Sequence, residues 1–259
     1  FATAVYISWL ALTEKKYTFF LQALLFLASG LLMAGPQILL TYGAFVESYR
    51  SSLIQASSIP WQYILTVIAP VVNGNPVPSN DWFGQYAVWA GFFGVVPFVL
   101  AVHALFHSRT KHTVFFALLA ITGLSLAYPT LINRLVYFLR IPALSTSNAT
   151  RAIALFSFGG SVLSALGFDA IRMAWKNKSH AQVWMTTIVG VVCLLLLWGY
   201  IGVGGFIPEE YAAIARRNSM LPAAFVLAGS AVFLLGFRAR TLATAGVILL
   251  VAFDMVRFS

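Results

Sequence analysis

The chain has few charged residues and almost no cysteine. Only 9% of its 259 residues are Asp, Glu, Lys or Arg, whereas 60% are hydrophobic. A water-soluble fold of this composition would lack the polar surface needed to cover its exterior, so the ordinary soluble classes are excluded. The one cysteine, Cys193, lies in an apolar stretch. The sequence therefore offers no disulfide and no cysteine-based zinc site.

Long apolar stretches take the place of the missing charges. A membrane-spanning helix needs roughly 20 mostly apolar residues, and backbone amides in lipid must be hydrogen-bonded within their own segment, which favours helices. The sequence predicts an all-α, polytopic transmembrane bundle of about seven to eight spans in a single domain, 1–259. The predicted spans are 18–42, 85–106, 113–128, 149–170, 183–207, 220–237 and 242–256, and residues 1–12 are predicted to be the end of a further span.

The basic residues alternate between the two sides of this bundle. Lys15, Arg109, Lys176 and Arg238 fall in successive short loops, and an excess of Lys and Arg in short loops is typical of the cytoplasmic side. The intervening loops, which contain both signs of charge, are predicted to face outward. Because the cations are divided between two sides, the formal charge of +9 does not indicate nucleic acid binding. Membrane lipids are the expected partners of the cytoplasmic cations.

Two external segments depart from the pattern of span and short loop. Residues 44–84 are too polar and too rich in proline and glycine for a span, but they contain an apolar run, Pro60–Ala69. This run is too short to cross, so we predict an interfacial or re-entrant helix. Residues 129–148 are predicted to form an external amphipathic helix with its polar side at Asn133.

Two patterns inside the predicted spans favour packing or anchoring over chemistry. Ser157, Ser161 and Ala165 recur every four residues beside Gly160 and Ser164, as in helices that approach each other closely. His103 and His107 share a helix face near a span end, but a metal site needs a third ligand. We therefore expect an interfacial position for these histidines and no metal.

Cations at headgroup depth are the candidate ligands for a lipid phosphate, because arginine binds phosphate oxygens with two parallel hydrogen bonds. Arg151 begins a span on the predicted external side, and Arg50 follows the second span. For Arg151, phosphate binding, structural anchoring and snorkelling to the interface all stay open. For Arg134 and Arg140 the interfacial interpretation is favoured.

Three further side chains complete the substrate-binding candidates. Gln37 lies at a span end, where a hydrogen bond between helices is the simpler role. Trp82 and Tyr86 are candidates for stacking on a sugar, although aromatic residues near span ends also serve as interface anchors. Glu47 and Asp81 are the acids of the large external loop, and solvated loop charges are their default interpretation. The sequence therefore assigns no catalytic residue, and no cofactor is evident.

Short motifs along the chain resemble those of one known family. They begin with Ala34-Gly35-Pro36-Gln37-Ile38-Leu39-Leu40 and Glu47-Ser48-Tyr49-Arg50, and continue through 58–74, Phe93-Gly94-Val95-Val96-Pro97, Ile141-Pro142-Ala143-Leu144, Arg151 and 163–169 to Phe253-Asp254. In order and in predicted side of the membrane this series is similar to the YfhO-like bacterial membrane proteins, which belong with the multi-spanning glycosyltransferases of the C-type fold.

The resemblance implies a function and a location. Enzymes of this fold transfer a sugar from a polyprenyl-phosphate carrier on the external side, using an acid in the first external loop. That loop would lie upstream of Phe1, so we expect the chain to be a fragment that lacks the N-terminal spans. The implied role is the membrane part of a polyprenyl-phosphate-sugar-dependent glycosyltransferase of the cell envelope, in the bacterial cytoplasmic (inner) membrane.

A transporter or flippase for lipid-linked sugars or lipids is the alternative. Such proteins usually have charges within spans, discontinuous helices and a repeated half. The predicted spans contain no charge near their middle, which favours the enzyme.

Overall fold

The computed structural model describes residues 2–15, 17–47, 57–75, 82–140, 148–203 and 207–258. In these ranges the chain is all-helical, with 82% helix and no strands, which confirms the predicted all-α class. Two 3-10 helices occur in them, Trp61–Val67 and Ala149–Ala152. The α-helices are α1 (Ala2–Glu14), α2 (Tyr17–Glu47), α3 (Tyr86–Trp89), α4 (Val95–His107), α5 (Lys111–Ala127), α6 (Leu131–Phe138), α7 (Ile153–Lys176), α8 (His180–Gly202), α9 (Glu209–Leu235) and α10 (Arg240–Phe258).

Four segments of the described chain are long and apolar enough to cross a membrane. They lie in α2, in α7 with the 3-10 turn before it, in α8 and in α9; a fifth results if α5 and the bent continuation α6 count as one. The predicted seven to eight spans are not shown. The helices α1 and α4 have 13 residues each, about 20 Å of helix, which is less than a hydrocarbon core of about 30 Å.

The chain forms two compact units, one of Phe1–Ala56 with Arg134–Asn148 and the other of Ser57–Asn133 with Ala149–Ser259. In the first unit α1 packs against α2, which continues as one helix through Pro36. No residue in the candidate span of α2 is buried. An apolar helix without a buried face is compatible with lipid as its surroundings.

The second unit is organised around α4 and α7, which pack along each other, with α5 on α7, α8 on α9 and α9 on α10. The approach of α4 to α7 is so close that a Cβ at Gly167 would overlap the carbonyl oxygen of Leu100. Glycine is therefore required at this crossing. The result is a buried core that includes Val95, Ile171 and Trp175.

The predicted small-residue stripe on α7 is buried only in part. Ser161 and Ala165 are exposed, whereas Gly160 and Ser164, one position before each on the helix, are buried. Serine and alanine at four-residue spacing are small enough for packing but do not require it, and the tightest crossing on α7 is set by Gly167.

The span predicted at 85–106 is broken. It consists of the four-residue α3, a non-helical stretch from Ala90 to Gly94, and α4. Gly94 has φ +107°, a backbone conformation that glycine adopts at no steric cost. The apolar composition of 85–106 conceals this break, because hydropathy does not register backbone conformation.

The two external segments are helical over shorter lengths than their predicted boundaries. Within Pro60–Ala69 the 3-10 helix has seven residues, too few to cross, with Tyr63 and Thr66 buried. The segment 129–148 contains α6, and Asn133, expected on its outward polar side, is instead buried, with Nδ2 donating to the Leu126 carbonyl at 2.6 Å. Their location at a membrane surface stays a prediction.

The interfacial position expected for His103 is wrong. Its side chain is 2% exposed, and its Nδ1 lies 2.6 Å from the Thr186 hydroxyl on α8. Its ring stacks on that of His107 with centroids 4.3 Å apart. His103 therefore belongs to the packing between α4 and α8, and His107 stacks on it from the same helix.

Candidate functional site

The second unit brings two of the predicted site residues to one rim of the bundle. Arg151 lies in the 3-10 turn Ala149–Ala152 that leads into α7, and it is exposed. The short helix α3, which begins at Tyr86, packs against this turn. Tyr86 is half-buried, and burial raises the pKa of its phenol. A cation and a protonated phenol are thus presented by two elements in contact, here called the rim.

Trp82 lies just before α3 and joins the rim to α9. Its indole stacks on the Tyr211 ring at a centroid distance of 5.5 Å and an interplanar angle of 10°. Among the described residues its buried Nε1 has no hydrogen-bond partner. A buried N–H without a partner carries a free-energy cost.

An aromatic cluster packs against α3, one of the two elements of the rim. Tyr63, in the 3-10 helix, meets Trp89 of α3 edge to face at 5.5 Å. Trp61 stacks on Tyr128 at 4.9 Å. Gly84 has φ +90°, and a Cβ there would overlap the Tyr63 ring. The aromatic packing therefore determines where the chain enters α3.

Hydrogen bonds attach the segment 57–75, which contains the 3-10 helix, to the helices of the second unit. The Ile59 amide donates to the Ala127 carbonyl at 2.8 Å. From α9, the Asn218 side chain donates to the Val71 carbonyl at 2.6 Å. Because a buried backbone carbonyl needs a donor, these contacts hold the segment as part of the packed unit.

A buried carboxylate that sequence reasoning missed lies at the helix break behind the rim. Asp254 fell within the predicted span 242–256 and in the motif Phe253-Asp254, with no role assigned to it; it lies within α10 and is 6% exposed. Its Oδ2 accepts a hydrogen bond of 2.7 Å from the Val95 amide, the first residue of α4. A carboxylate stabilises the free amides and the partial positive charge at a helix start. An acid inside an apolar helix was the available signal, together with Gly94 just before Val95.

The other predicted site residues do not join the rim within the second unit. Gln37, Arg134 and Arg140 belong to the first unit. Gln37 is exposed on α2 and its Nε2 lies 3.4 Å from Thr41 Oγ1, a contact within the helix. Arg134 and Arg140 are exposed, as the interfacial interpretation requires, while Arg50 lies outside the described residues.

Neither acid considered for catalysis can be assigned to the rim from the described residues. Asp81 is outside the described residues, and Glu47 is exposed at the end of α2. In the described part of the chain no group of three or more His, Cys, Asp and Glu side chains could hold a metal ion. The rim is therefore suited to binding a phosphate and stacking on a ring.

Comparison with known proteins gives no match to a family model, to a curated protein or to a solved structure.

Proposed function

We propose that the chain is the membrane part of a glycosyltransferase that uses a polyprenyl-phosphate-linked sugar on the external face of the bacterial inner membrane. The motif resemblance motivates this reaction class. The single structural observation that supports it is the contact between α3 and the turn that presents Arg151. In this proposal the apolar helices cross the bilayer as about seven to eight spans, and the rim faces outward.

Each rim residue has a distinct part in binding the carrier. The exposed Arg151 guanidinium binds the carrier phosphate through two parallel hydrogen bonds. The half-buried Trp82 indole and Tyr86 phenol supply a ring surface and an O–H donor for the sugar. Asp254 acts through structure, since its Oδ2 is bound to the α4 amide. The catalytic base is not assigned to any residue.

Binding of a polyprenyl phosphate to the purified chain in lipid nanodiscs, followed by native mass spectrometry, tests the proposal. Arg151→Gln should weaken binding about 10-fold, the value of a charge-assisted hydrogen bond, and Arg151→Lys should fall between wild type and Arg151→Gln. The unphosphorylated polyprenol should bind equally to all variants. Arg217→Gln, which removes an exposed arginine from α9, should stay within about two-fold of wild type.

Equal binding by wild type and Arg151→Gln would contradict the phosphate role. Transfer of a radiolabelled sugar from the polyprenyl-phosphate donor, measured in membranes that contain the chain with or without its Arg151→Gln substitution, tests the enzyme itself. Because the catalytic acid is expected upstream of Phe1, the transfer assay uses a longer chain that includes the upstream spans, and carrier binding without transfer by that longer chain would move the function to the alternative.

One observation favours that alternative, a transporter or flippase for lipid-linked sugars. Discontinuous helices with a buried charge at the break are typical of transporters, and α4 begins at such a break beside Asp254. Proteoliposomes loaded with a fluorescent lipid-linked sugar test it: a pH gradient should speed its movement across the bilayer, and Asp254→Asn should abolish the acceleration. No difference from protein-free liposomes would exclude transport.

A further inference from the structure

A groove lies between α7 and α10, at the opposite end of α7 from Arg151. Its volume is about 690 Å³. The buried indole of Trp175, 1% exposed, forms its floor. The polar side chains that line it are Asp169, Arg172 and Lys176 on α7 and Arg240, Thr241 and Thr244 on α10.

Helix geometry explains why these side chains meet. On α7, positions 169, 172 and 176 are three and four residues apart, which places them on one face. On α10, positions 240, 241 and 244 belong to the first turns. The floor is fixed, because Trp175 Nε1 donates to the Phe233 carbonyl at 2.9 Å. The groove is therefore held in shape by packing within the second unit.

The charge of the groove is positive. Three cations and one carboxylate line it. The carboxylate, Asp169, lies 3.8 Å from Arg172, and both side chains are more than half exposed. Solvent weakens such a pair, so neutralisation of Arg172 is partial. The groove offers two guanidinium groups, an ammonium group and two hydroxyls to an anion.

We propose that this groove binds the phosphate of an anionic phospholipid headgroup. It opens at the last turn of α7, a candidate membrane span, which is where a helix leaves the hydrocarbon core. Met173 also lines the groove and is 59% exposed, so an apolar side chain is available to the acyl chain beside the cations. A basic pocket at the end of a candidate span, with apolar surface next to it, fits a lipid better than a soluble anion. This inference is independent of the proposed enzyme function.

Lipid retention by the purified chain tests the proposal. The chain is equilibrated in mixed micelles of phosphatidylcholine with phosphatidylglycerol, and the bound lipids are measured by native mass spectrometry. Arg172→Gln with Arg240→Gln should lower phosphatidylglycerol retention by roughly 10- to 30-fold, since each cation near an anionic lipid contributes about five-fold. The matched pair Arg216→Gln with Arg217→Gln removes the same charge from exposed positions on α9 and should change retention by less than about three-fold.

A variant that gains lipid binding distinguishes an effect on the groove from a loss of folding. Asp169→Asn removes the only carboxylate among the lining residues and should raise phosphatidylglycerol retention by about two- to five-fold, a result that a misfolded protein would not give. Equal losses in the two arginine pairs, or no gain with Asp169→Asn, would overturn the site. Displacement of the lipid by millimolar inorganic phosphate would overturn the assignment to a lipid, because it would make a soluble anion the ligand.

Discussion

Two apolar helices, α2 and α4, have very different surroundings. In α2, Phe26 is 80% and Met33 86% exposed, and no residue of its candidate span is buried. In α4, Val95 and Leu100 are each 1% exposed. The longer helix has the length of a membrane span but no buried face, whereas the shorter one is the centre of the packed unit. Apolar sequence therefore excludes water as the neighbour of a helix, but it does not distinguish lipid from protein.

The largest expected difference in stability is between a leucine shortened in α4 and a leucine shortened in α2. Leu100→Ala should lower the free energy of unfolding by about 3 kcal/mol, because a cavity is left in a packed core. Leu32→Ala on α2, where the leucine is 79% exposed, should change it by less than about 0.5 kcal/mol. Unfolding by sodium dodecyl sulfate in mixed micelles, followed by tryptophan fluorescence, gives both values. Similar losses in the two variants would mean that α2 is packed as tightly as α4.

A methyl group added to a glycine tests the same difference between the packed unit and α2, but by filling space where the leucine variants empty it. Gly167→Ala should destabilise by about 2 kcal/mol, because the added Cβ overlaps the Leu100 carbonyl and the helices must separate. Gly35→Ala in α2 meets nothing within 4 Å and should be neutral or stabilising by up to about 1 kcal/mol through helix propensity. Thermal inactivation midpoints in detergent rank the two. A stable Gly167→Ala variant would show that the α4–α7 crossing is looser than described.

The carboxylate at the start of α4 gives the next effect. Asp254→Ala should cost about 1.5 kcal/mol, because the buried Val95 amide loses its acceptor. Asp254→Asn keeps an acceptor oxygen and should cost less. The control is Asp169→Asn, at a side chain that is 68% exposed, with an expected change within about 0.5 kcal/mol. Hydrogen exchange at the first turn of α4 should rise in Asp254→Ala, and unchanged exchange there would contradict the capping role.

The smallest effect is expected at the hydrogen bond that attaches the segment 57–75 to α9. Asn218→Ala removes the donor to the Val71 carbonyl and should destabilise by about 1 kcal/mol. Asn177→Ala, at the exposed C-terminal end of α7, is the matched control and should have a smaller effect. Proteolysis within 57–75 measures local opening and should speed up only in Asn218→Ala. Equal rates in both variants would indicate that the aromatic contacts alone hold the segment.

The candidate site was predictable only in part. Arginine at the start of a span and aromatic residues before the next helix were sufficient to single out Arg151, Trp82 and Tyr86. Their proximity depends on the packing of α3 on the turn Ala149–Ala152, which involves residues about sixty positions apart. The capping role of Asp254 was not predicted for the same reason, since its partner Val95 is 159 positions away.

The sequence by itself determined the helical class and the apolar segments, because apolar content and backbone hydrogen bonding in lipid leave helices as the solution. It also located α2, α8 and α10 to within about five residues at each end, whereas α9 begins at Glu209, well before the predicted span 220–237. Only the tertiary structure decided that 85–106 is broken, that Ser161 and Ala165 are exposed while Gly160 and Ser164 are buried, and that His103 is buried. These features depend on a positive φ at one glycine and on which helix faces meet, and hydropathy depends on neither.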